Sequence, residues 1–208
     1  FDEMPAEASE VVIAGFGRVG QVVGRLLLAR GTRFTALDVD AEQVETVRRF
    51  GLKVFYGDAA NLDLLHAAQL REAKVFVLAI DDVKASLRTA ELVRKHFPHV
   101  QIVARARNRF HASRLMDLGI ERQIREALPS SLEMARWTLE LLHEPPALVD
   151  QMVTRFVRHD AEVLARQQAI AHDEGQMIQS TRAAREELAQ ILEEARAAFS
   201  HKERGVKR

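Results

Sequence analysis

Two hydrophobic patterns alternate along residues 10–125. Short apolar runs are separated by longer stretches in which apolar residues recur at helical spacing. The first pattern predicts buried strands and the second predicts amphipathic helices. The predicted strands are 10–15, 33–38, 53–56, 74–80, 100–104 and 120–125. The predicted helices between them are 18–30, 41–50, 62–69, 83–97 and 109–118.

Strands that alternate with helices predict an α/β fold, here a Rossmann-type doubly wound parallel sheet with strand order 3-2-1-4-5-6. A further helix is predicted over 131–142, and Pro145 and Pro146 then end the compact region. Residues beyond them show helical spacing without strand patterns, which predicts a C-terminal helical appendage.

A glycine motif stands where the first strand passes into the first helix. Gly15, Gly17 and Gly20 have the spacing G-x-G-x-x-G, which suits a tight turn, close approach of a phosphate and close packing of helix on strand. Asp38 ends the second strand, 18 residues after Gly20, where such folds place the carboxylate that binds ribose hydroxyls. Asp40 is the predicted N-cap of the second helix, which leaves Asp38 free for that role.

Other polar residues stand at the predicted carboxyl ends of strands, which face the ligand crevice in open parallel sheets. Asp58 is a candidate wall residue or part of a plain turn. One of Asp81 and Asp82 is a predicted N-cap, and the other could lie across a nucleotide. Arg105 and Arg107 alternate on extended chain, so both point the same way, either to bind an anion or to lie solvated.

Composition excludes several classes of function. Among 208 residues, 30 are basic and 30 are acidic, so no net charge draws the chain to nucleic acid. The absence of cysteine excludes disulfides and thiolate metal sites, and no apolar run approaches the ~20 residues of a spanning helix. The eight histidines are scattered and read as surface residues, and the common hydrolase and phosphate-loop motifs are absent. These observations predict a nucleotide sensor without catalytic or metal-binding residues.

We therefore predict a linker over 1–9, a nucleotide-binding domain over 10–144 and a helical extension over 145–208. The acidic, proline-containing first residues are typical of a linker from an upstream segment. In the extension, Asp160 falls on an apolar stripe, which marks either a ligand or partner contact or a helix face that has turned to water. Gly175 is expected to interrupt the helices. The last helix, 178–199, either folds back on its own chain or is exchanged with a second subunit.

Several stretches resemble one family. Residues 12–21, 54–59, 96–99 and 104–107 are similar to the KTN (RCK-type) domain, in particular the cytoplasmic C-terminal domain of the Kef glutathione-gated potassium efflux systems. The resemblance covers about residues 10–160. The Gly-Asp-Ala and Ala-Arg-Ala-Arg stretches are more specific for this family than the glycine motif.

The resemblance implies a homodimer of KTN domains below an upstream transmembrane K+/H+ antiporter, at the cytoplasmic face of a bacterial inner membrane. It also implies an ancillary soluble oxidoreductase subunit and no nucleic-acid partner. Glutathione would hold the pore closed, and glutathione–electrophile adducts would open it. AMP or NAD(H) would be bound structurally in the glycine-loop cleft.

The resemblance also implies two sets of contact residues. Those for the nucleotide are Gly15, Phe16, Gly17, Arg18, Val19, Gly20, Asp38, Val39, Asp58, Ala59, Ala79, Asp81 and Arg105. Those for glutathione are Arg25, Phe50, Arg107, Asn108, Arg125 and Asp160. The chain departs from the family at Asp160, where the best-known members have Asn, and Phe50 falls where a bulky residue would sense the adduct.

Two other functions remain open from the sequence. A small NAD-dependent oxidoreductase would need a base on the helical appendage, for which His159 and Asp160 are candidates. A nucleotide sensor of another potassium transporter, of the Trk or Ktr type, would normally carry a further α/β lobe that the sequence does not show.

Overall fold

A computed structural model describes residues 8–49, 54–170 and 174–206. The chain divides after Glu126 into two compact units. The predicted domain boundary lies further along, after Glu144, because the apolar spacing of the intervening helix does not indicate which neighbours it packs on. That helix packs against the next one in the second unit.

The first unit is a parallel sheet covered by helices. Its strands are β1 (Val11–Ala14), β2 (Phe34–Asp38), β3 (Val54–Tyr56), β4 (Val75–Leu78), β5 (Gln101–Ala106) and β6 (Gln123–Arg125). Its helices are α1 (Arg18–Ala29), α2 (Ala41–Arg49), α3 (Leu62–Ala67), α4 (Val83–His96) and α5 (Arg109–Asp117), with a short 3-10 helix at Leu70–Glu72. The strand order β3-β2-β1-β4-β5-β6 confirms the predicted doubly wound topology.

The register defines the two faces of the sheet. Ile13 pairs with Val77, and Val77 pairs with Val103, so all three point to one face. Ile13 and Val77 belong to a core cluster that Val19 of α1 partly covers. Right-handed connections place α1 and α2 on this face and α3 to α5 on the other. Since residues alternate along a strand, Arg105 shares the α1 face whereas Ala106 points to the opposite one.

The turn between β1 and α1 depends on glycines at two positions. Gly15 has φ +88°, and a Cβ there would lie 2.7 Å from the backbone of Ala79 at the end of β4. A Cβ on Gly20 would lie 2.2 Å from the carbonyl oxygen of Gly15. The first helix therefore lies directly against the end of the first strand, which only glycine permits.

The second unit is helical, with α6 (Leu128–Leu141), α7 (Pro146–Gln168) and α8 (Glu174–Val206). α8 packs against α7 with a narrow face of small and apolar residues, and Ala195 at its centre is fully buried. In this structure the last helix thus folds back on its own chain. None of the helices in the described ranges combines the length and the apolar character that spanning a bilayer would require.

Some element ends differ from the predicted ones. β5 extends to Ala106, because the strand pairs with β6 beyond its apolar run. α6 begins at Leu128 and holds its proline in the first turn, where the missing N–H has no cost. Gly175 lies inside the first turn of α8 and does not interrupt it, and the end of the chain is helical through Val206.

We expect Gly20→Ala to destabilise the first unit by about 3 kcal/mol or more, because the new Cβ meets backbone that cannot rotate away. Gly17→Ala is the matched control. Gly17 has φ −74°, and its Cβ would meet nothing within 4 Å, so the cost should stay at about 1 kcal/mol. Chemical denaturation of both variants measures the difference. Equal stabilities would contradict the close packing of α1 on β1.

Candidate functional site

A cavity of about 410 Å³ lies in the first unit at the carboxyl ends of the central strands. It is centred where the connections reverse direction, between β1 and β4, which is the usual ligand position in open α/β sheets. Its walls come from the ends of five strands and the segments that follow them: Gly15, Gly17, Leu37, Asp38, Val39, Asp40, Gln43, Gly57, Asp58, Ala59, Ala79, Ile80, Asp81, Asp82, Ala85 and Arg105. The structure thus brings together most residues predicted to contact a nucleotide.

The glycine loop presents bare backbone to this cavity. Gly17 lines the cavity and is the N-cap of α1, and no side chain in the described part of the chain caps that helix end. The first turn of α1 also contains no acidic residue. Its N–H groups and the positive end of the helix dipole are therefore directed towards a region that suits a phosphate.

Asp38 holds the glycine loop to β2. Its Oδ2 accepts a hydrogen bond from the Phe16 N–H (2.6 Å), and its Oδ1 accepts one from the Asp40 N–H (2.9 Å). Asp38 therefore already accepts two backbone hydrogen bonds, and its carboxylate has lone pairs left for ribose hydroxyls. Asp40 caps α2 as predicted, through the N–H groups of Glu42 and Gln43.

Four residues of the predicted nucleotide set do not line the cavity. The side chain of Phe16 is fully buried, and Val19 packs against the core cluster. Gly20 lies beneath the loop against Gly15, and Arg18 begins α1 with an exposed side chain. Phe16, Val19 and Gly20 thus shape the loop from beneath.

An ion-pair cluster closes the β4–β5 side of the cavity. The two oxygens of Asp81 bind different arginines, Oδ1 binding Arg105 Nη2 and Oδ2 binding Arg107 Nη1 (2.6 Å). Arg105 is almost fully buried and also donates to the Ala79 carbonyl (3.2 Å). Its Nε forms an ion pair with Glu126, without the alignment of a hydrogen bond. Burial raises the pKa of Asp81, but the charges and hydrogen bonds of the two arginines outweigh burial and hold the pKa below 3.8.

A buried histidine supports this cluster from behind. His111 has no exposed surface, so its expected place on the surface was wrong. Its Nδ1 accepts a hydrogen bond from the Arg107 backbone N–H (3.2 Å), so Nε2 carries the proton and donates to Ser86 Oγ (3.1 Å). Burial, then the charge of Arg105, lowers the pKa of His111. Its position four residues before buried Leu115 is the sequence signal that could have indicated a core residue.

The residues predicted to contact glutathione are dispersed in the first unit. Arg25 is exposed on α1, whereas Arg125 pairs with Ala106 and so points to the other face of the sheet. Asn108 caps α5 by accepting a hydrogen bond from the His111 N–H (2.9 Å). Phe50 lies outside the described residues. One chain therefore does not bring the two arginines to one face.

Asp160 belongs to the second unit, where it is only 8% exposed. The alternative that α7 has turned to water at this position was therefore wrong. The neighbouring His159 is also buried, and it shares Glu187 of α8 with Arg166. The hydrogen bond from Arg166, followed by that from His159, lowers the pKa of Glu187 from 4.5 to about 2. Across the described ranges, no cluster of acidic and histidine side chains could hold a metal ion.

Comparison with known proteins identifies the family. Residues 11–126 match the TrkA-N domain, and residues 130–205 match the potassium efflux system KefB C-terminal domain. Glutathione-regulated potassium-efflux system proteins KefC of Escherichia fergusonii and Shigella boydii are each 42% identical over 172 residues, 83% of this chain. The chain spans 28% of the length of these relatives.

Solved structures agree with this assignment. The Kef C-terminal domain of Shewanella denitrificans in its AMP-bound form is 40% identical, with TM-score 0.70, and the match covers 77% of this chain and 98% of that one. The TrkA-N domain of the inner membrane protein YbaL of Escherichia coli is 26% identical, with TM-score 0.56, over 66% of this chain and 99% of that one.

The sheet order, the glycine loop and the cavity at the switch point define the first unit as a TrkA-N domain. With the helical second unit included, the chain belongs to the Kef family of KTN/RCK regulatory domains.

The low pKa of Glu187 predicts a pH dependence for the second unit. Because the folded-state pKa lies below 4.5, the stabilisation is complete above about pH 4.5 and is lost as the pH falls towards 2. We expect Glu187→Gln to remove this acid-dependent part of the unfolding free energy, with Glu186→Gln on the same helix as the control. Thermal unfolding followed by circular dichroism between pH 5 and pH 2 measures it. An unchanged pH slope in Glu187→Gln would contradict the assignment.

Proposed function

We propose that this chain is the ligand-sensing domain of a potassium efflux system, with a structurally bound adenine nucleotide and glutathione as the inhibitory ligand. The observation that carries the proposal is the bare glycine loop and uncapped α1 in a chain that is 40% identical to a Kef domain solved with AMP. The relatives named glutathione-regulated potassium-efflux proteins support the regulatory ligand.

The residues of the cavity fit an adenine nucleotide. A Cβ on Gly17 would project into open space, so backbone alone forms the wall at the position that suits a phosphate. Asp38 and Asp58 line the β2–β3 side and suit ribose hydroxyls, whereas a 2′-phosphate would meet two like charges. AMP or NAD(H) therefore fits better than NADP(H), and the bound nucleotide would complete the shape of the domain without reacting.

Nucleotide binding predicts a specific effect of Gly17→Ala. We expect the chain to bind AMP, and the variant to bind it about tenfold more weakly, because the methyl group prevents close approach of the phosphate to backbone N–H groups. Isothermal titration calorimetry measures the affinity, and the unfolding temperature without nucleotide controls for folding. A chain that binds no AMP would refute the nucleotide assignment, and equal affinities would refute the role of Gly17.

The regulatory site is proposed to lie between two chains. Arg25 and Arg125 lie on opposite faces of one sheet, so a ligand held by both needs arginines from different subunits. An uncovered apolar surface lies on the α1 face, formed by Val22, Leu26, Val103 and Ile124. Exposed apolar side chains grouped in this way are typical of protein–protein contacts. They favour a homodimer through the KTN domain.

The chemistry of glutathione suits a binding site that contains several arginines. Its two carboxylates can each take bidentate hydrogen bonds from a guanidinium group, which lysine could not supply with the same geometry. Asp160 can accept from the glutathione amine, but it lacks the amide donor that an asparagine would offer. Adducts would compete for the same site, and their added group would shift the dimer towards an open arrangement.

The same proposal includes the partners of the chain and its location in the cell. An upstream transmembrane K+/H+ antiporter would place this domain at the cytoplasmic face of the bacterial inner membrane. An ancillary soluble oxidoreductase subunit could bind the assembled domain, and no nucleic-acid partner is expected. His159 and Asp160, the candidates for an oxidoreductase base, do not line the cavity that would hold the nucleotide, so we propose no catalytic role for either.

If the dimer forms through this surface, charged substitutions at two exposed leucines of α1 should have different effects. Leu26→Glu should give monomers and weaken glutathione binding, because it places a charge on the apolar surface. Leu28→Glu is the control, since Leu28 is also exposed but lies on the other flank of α1. Sedimentation velocity and glutathione titration measure both effects. A wild-type chain that stays monomeric at high concentration, or a dimeric Leu26→Glu variant, would rule out this surface.

A further inference from the structure

The order of the strands places different charged residues on the two sides of the cavity. Asp38 and Asp58 belong to the β2–β3 side, the glycine loop is central at β1, and Asp81 and Arg105 belong to the β4–β5 side. A nucleotide whose ribose binds Asp38 places its first phosphate at the start of α1. Any further phosphate is then directed towards the β4–β5 side.

That side of the cavity carries an excess of negative charge. The charged residues that line this side of the cavity are two carboxylates, Asp81 and Asp82, and one guanidinium group, that of Arg105. Asp82 is the N-cap of α4, where its Oδ1 accepts from the Ala85 N–H (2.7 Å). Its carboxylate is thus held at the cavity wall.

Arg105 is the cation that lines the cavity, and all three of its nitrogens are already engaged. Nη1 donates to the Ala79 carbonyl, Nη2 binds Asp81 and Nε meets Glu126. Nη1 and Nη2 each keep a second N–H that could meet a phosphate, but the positive charge is already balanced by Glu126 and by Asp81, which Arg107 holds from the other side. The arginine therefore acts as a neutralised wall and not as a free phosphate clamp.

We propose that the β4–β5 side of the cavity selects nucleotides by phosphate number, favouring a nucleoside monophosphate over di- and triphosphates and therefore AMP over NAD(H), and that Asp81 is the specificity-determining residue. This inference rests on the proposed nucleotide binding and adds which nucleotides the cavity prefers. A terminal phosphate would meet Asp81 and Asp82 at close range, and like charges in a partly enclosed site are a common means of rejecting the wrong ligand. Asp81→Asn keeps the size of the side chain, removes one negative charge and releases both arginines.

The test compares AMP, ADP and ATP by isothermal titration calorimetry in magnesium-free buffer, since Mg²⁺ would neutralise the added phosphates. We expect the wild-type chain to bind AMP at least about tenfold more tightly than ATP, and Asp81→Asn to narrow that ratio by about tenfold, chiefly through tighter binding of ATP. Glu10→Gln is the matched control. It removes another exposed carboxylate in an ion pair, with Lys74, at a site that does not line the cavity.

The outcomes separate the two proposals. A chain that binds no nucleotide refutes the proposed function, whereas one that binds AMP and ATP equally well refutes only the selectivity. A wild-type preference that persists unchanged in Asp81→Asn overturns the role of Asp81. If that variant does not fold, the wild-type chain still gives an answer, because the ratio should narrow as salt rises from about 0.05 M to about 0.5 M. A ratio that is independent of salt would overturn the electrostatic argument.

Discussion

The position of α1 on β1 determines the geometry of the first unit. The helix lies so close that a Cβ on Gly20 would overlap the Gly15 carbonyl oxygen, and Gly15 itself lies against the end of β4. This close approach directs the first turn of α1 at the cavity. Asp38 then holds the loop to β2 through the Phe16 N–H, so three neighbouring strand ends are fixed relative to one helix. The cavity exists because these ends cannot move independently.

Local patterns in the sequence predict much of this fold. Alternating periods and the glycine spacing are short-range signals, and they indicated the strands, the strand order and most of the cavity wall. The ion-pair cluster could not be predicted in the same way. Asp81 follows β4, Arg105 lies within β5 and Glu126 follows β6, so their contacts depend on the register between those strands. The expectation that Arg105 and Arg107 point the same way was correct, but their shared partner is a tertiary feature.

Two histidines that the sequence predicts at the surface are buried in the structure. His111 and His159 read as surface residues because histidine tolerates water, yet both are buried with hydrogen-bond partners. In the second unit, the polar contacts of Glu187 with His159 and Arg166 accompany a narrow apolar face between α7 and α8. Such contacts fix the register of two helices that apolar packing alone would leave loosely specified. Periodicity reveals the apolar face but not these pairs.

The uncapped start of α1 links the ligand of this domain to its folding. A helix that begins at Gly17 without a side-chain acceptor leaves N–H groups that a bound phosphate can satisfy. A ligand that binds only the native state stabilises it in proportion to the logarithm of its concentration. The domain would therefore be most resistant to unfolding and proteolysis when adenylate is abundant. Its lifetime in the cell would then depend on the concentration of that nucleotide, independently of any gating.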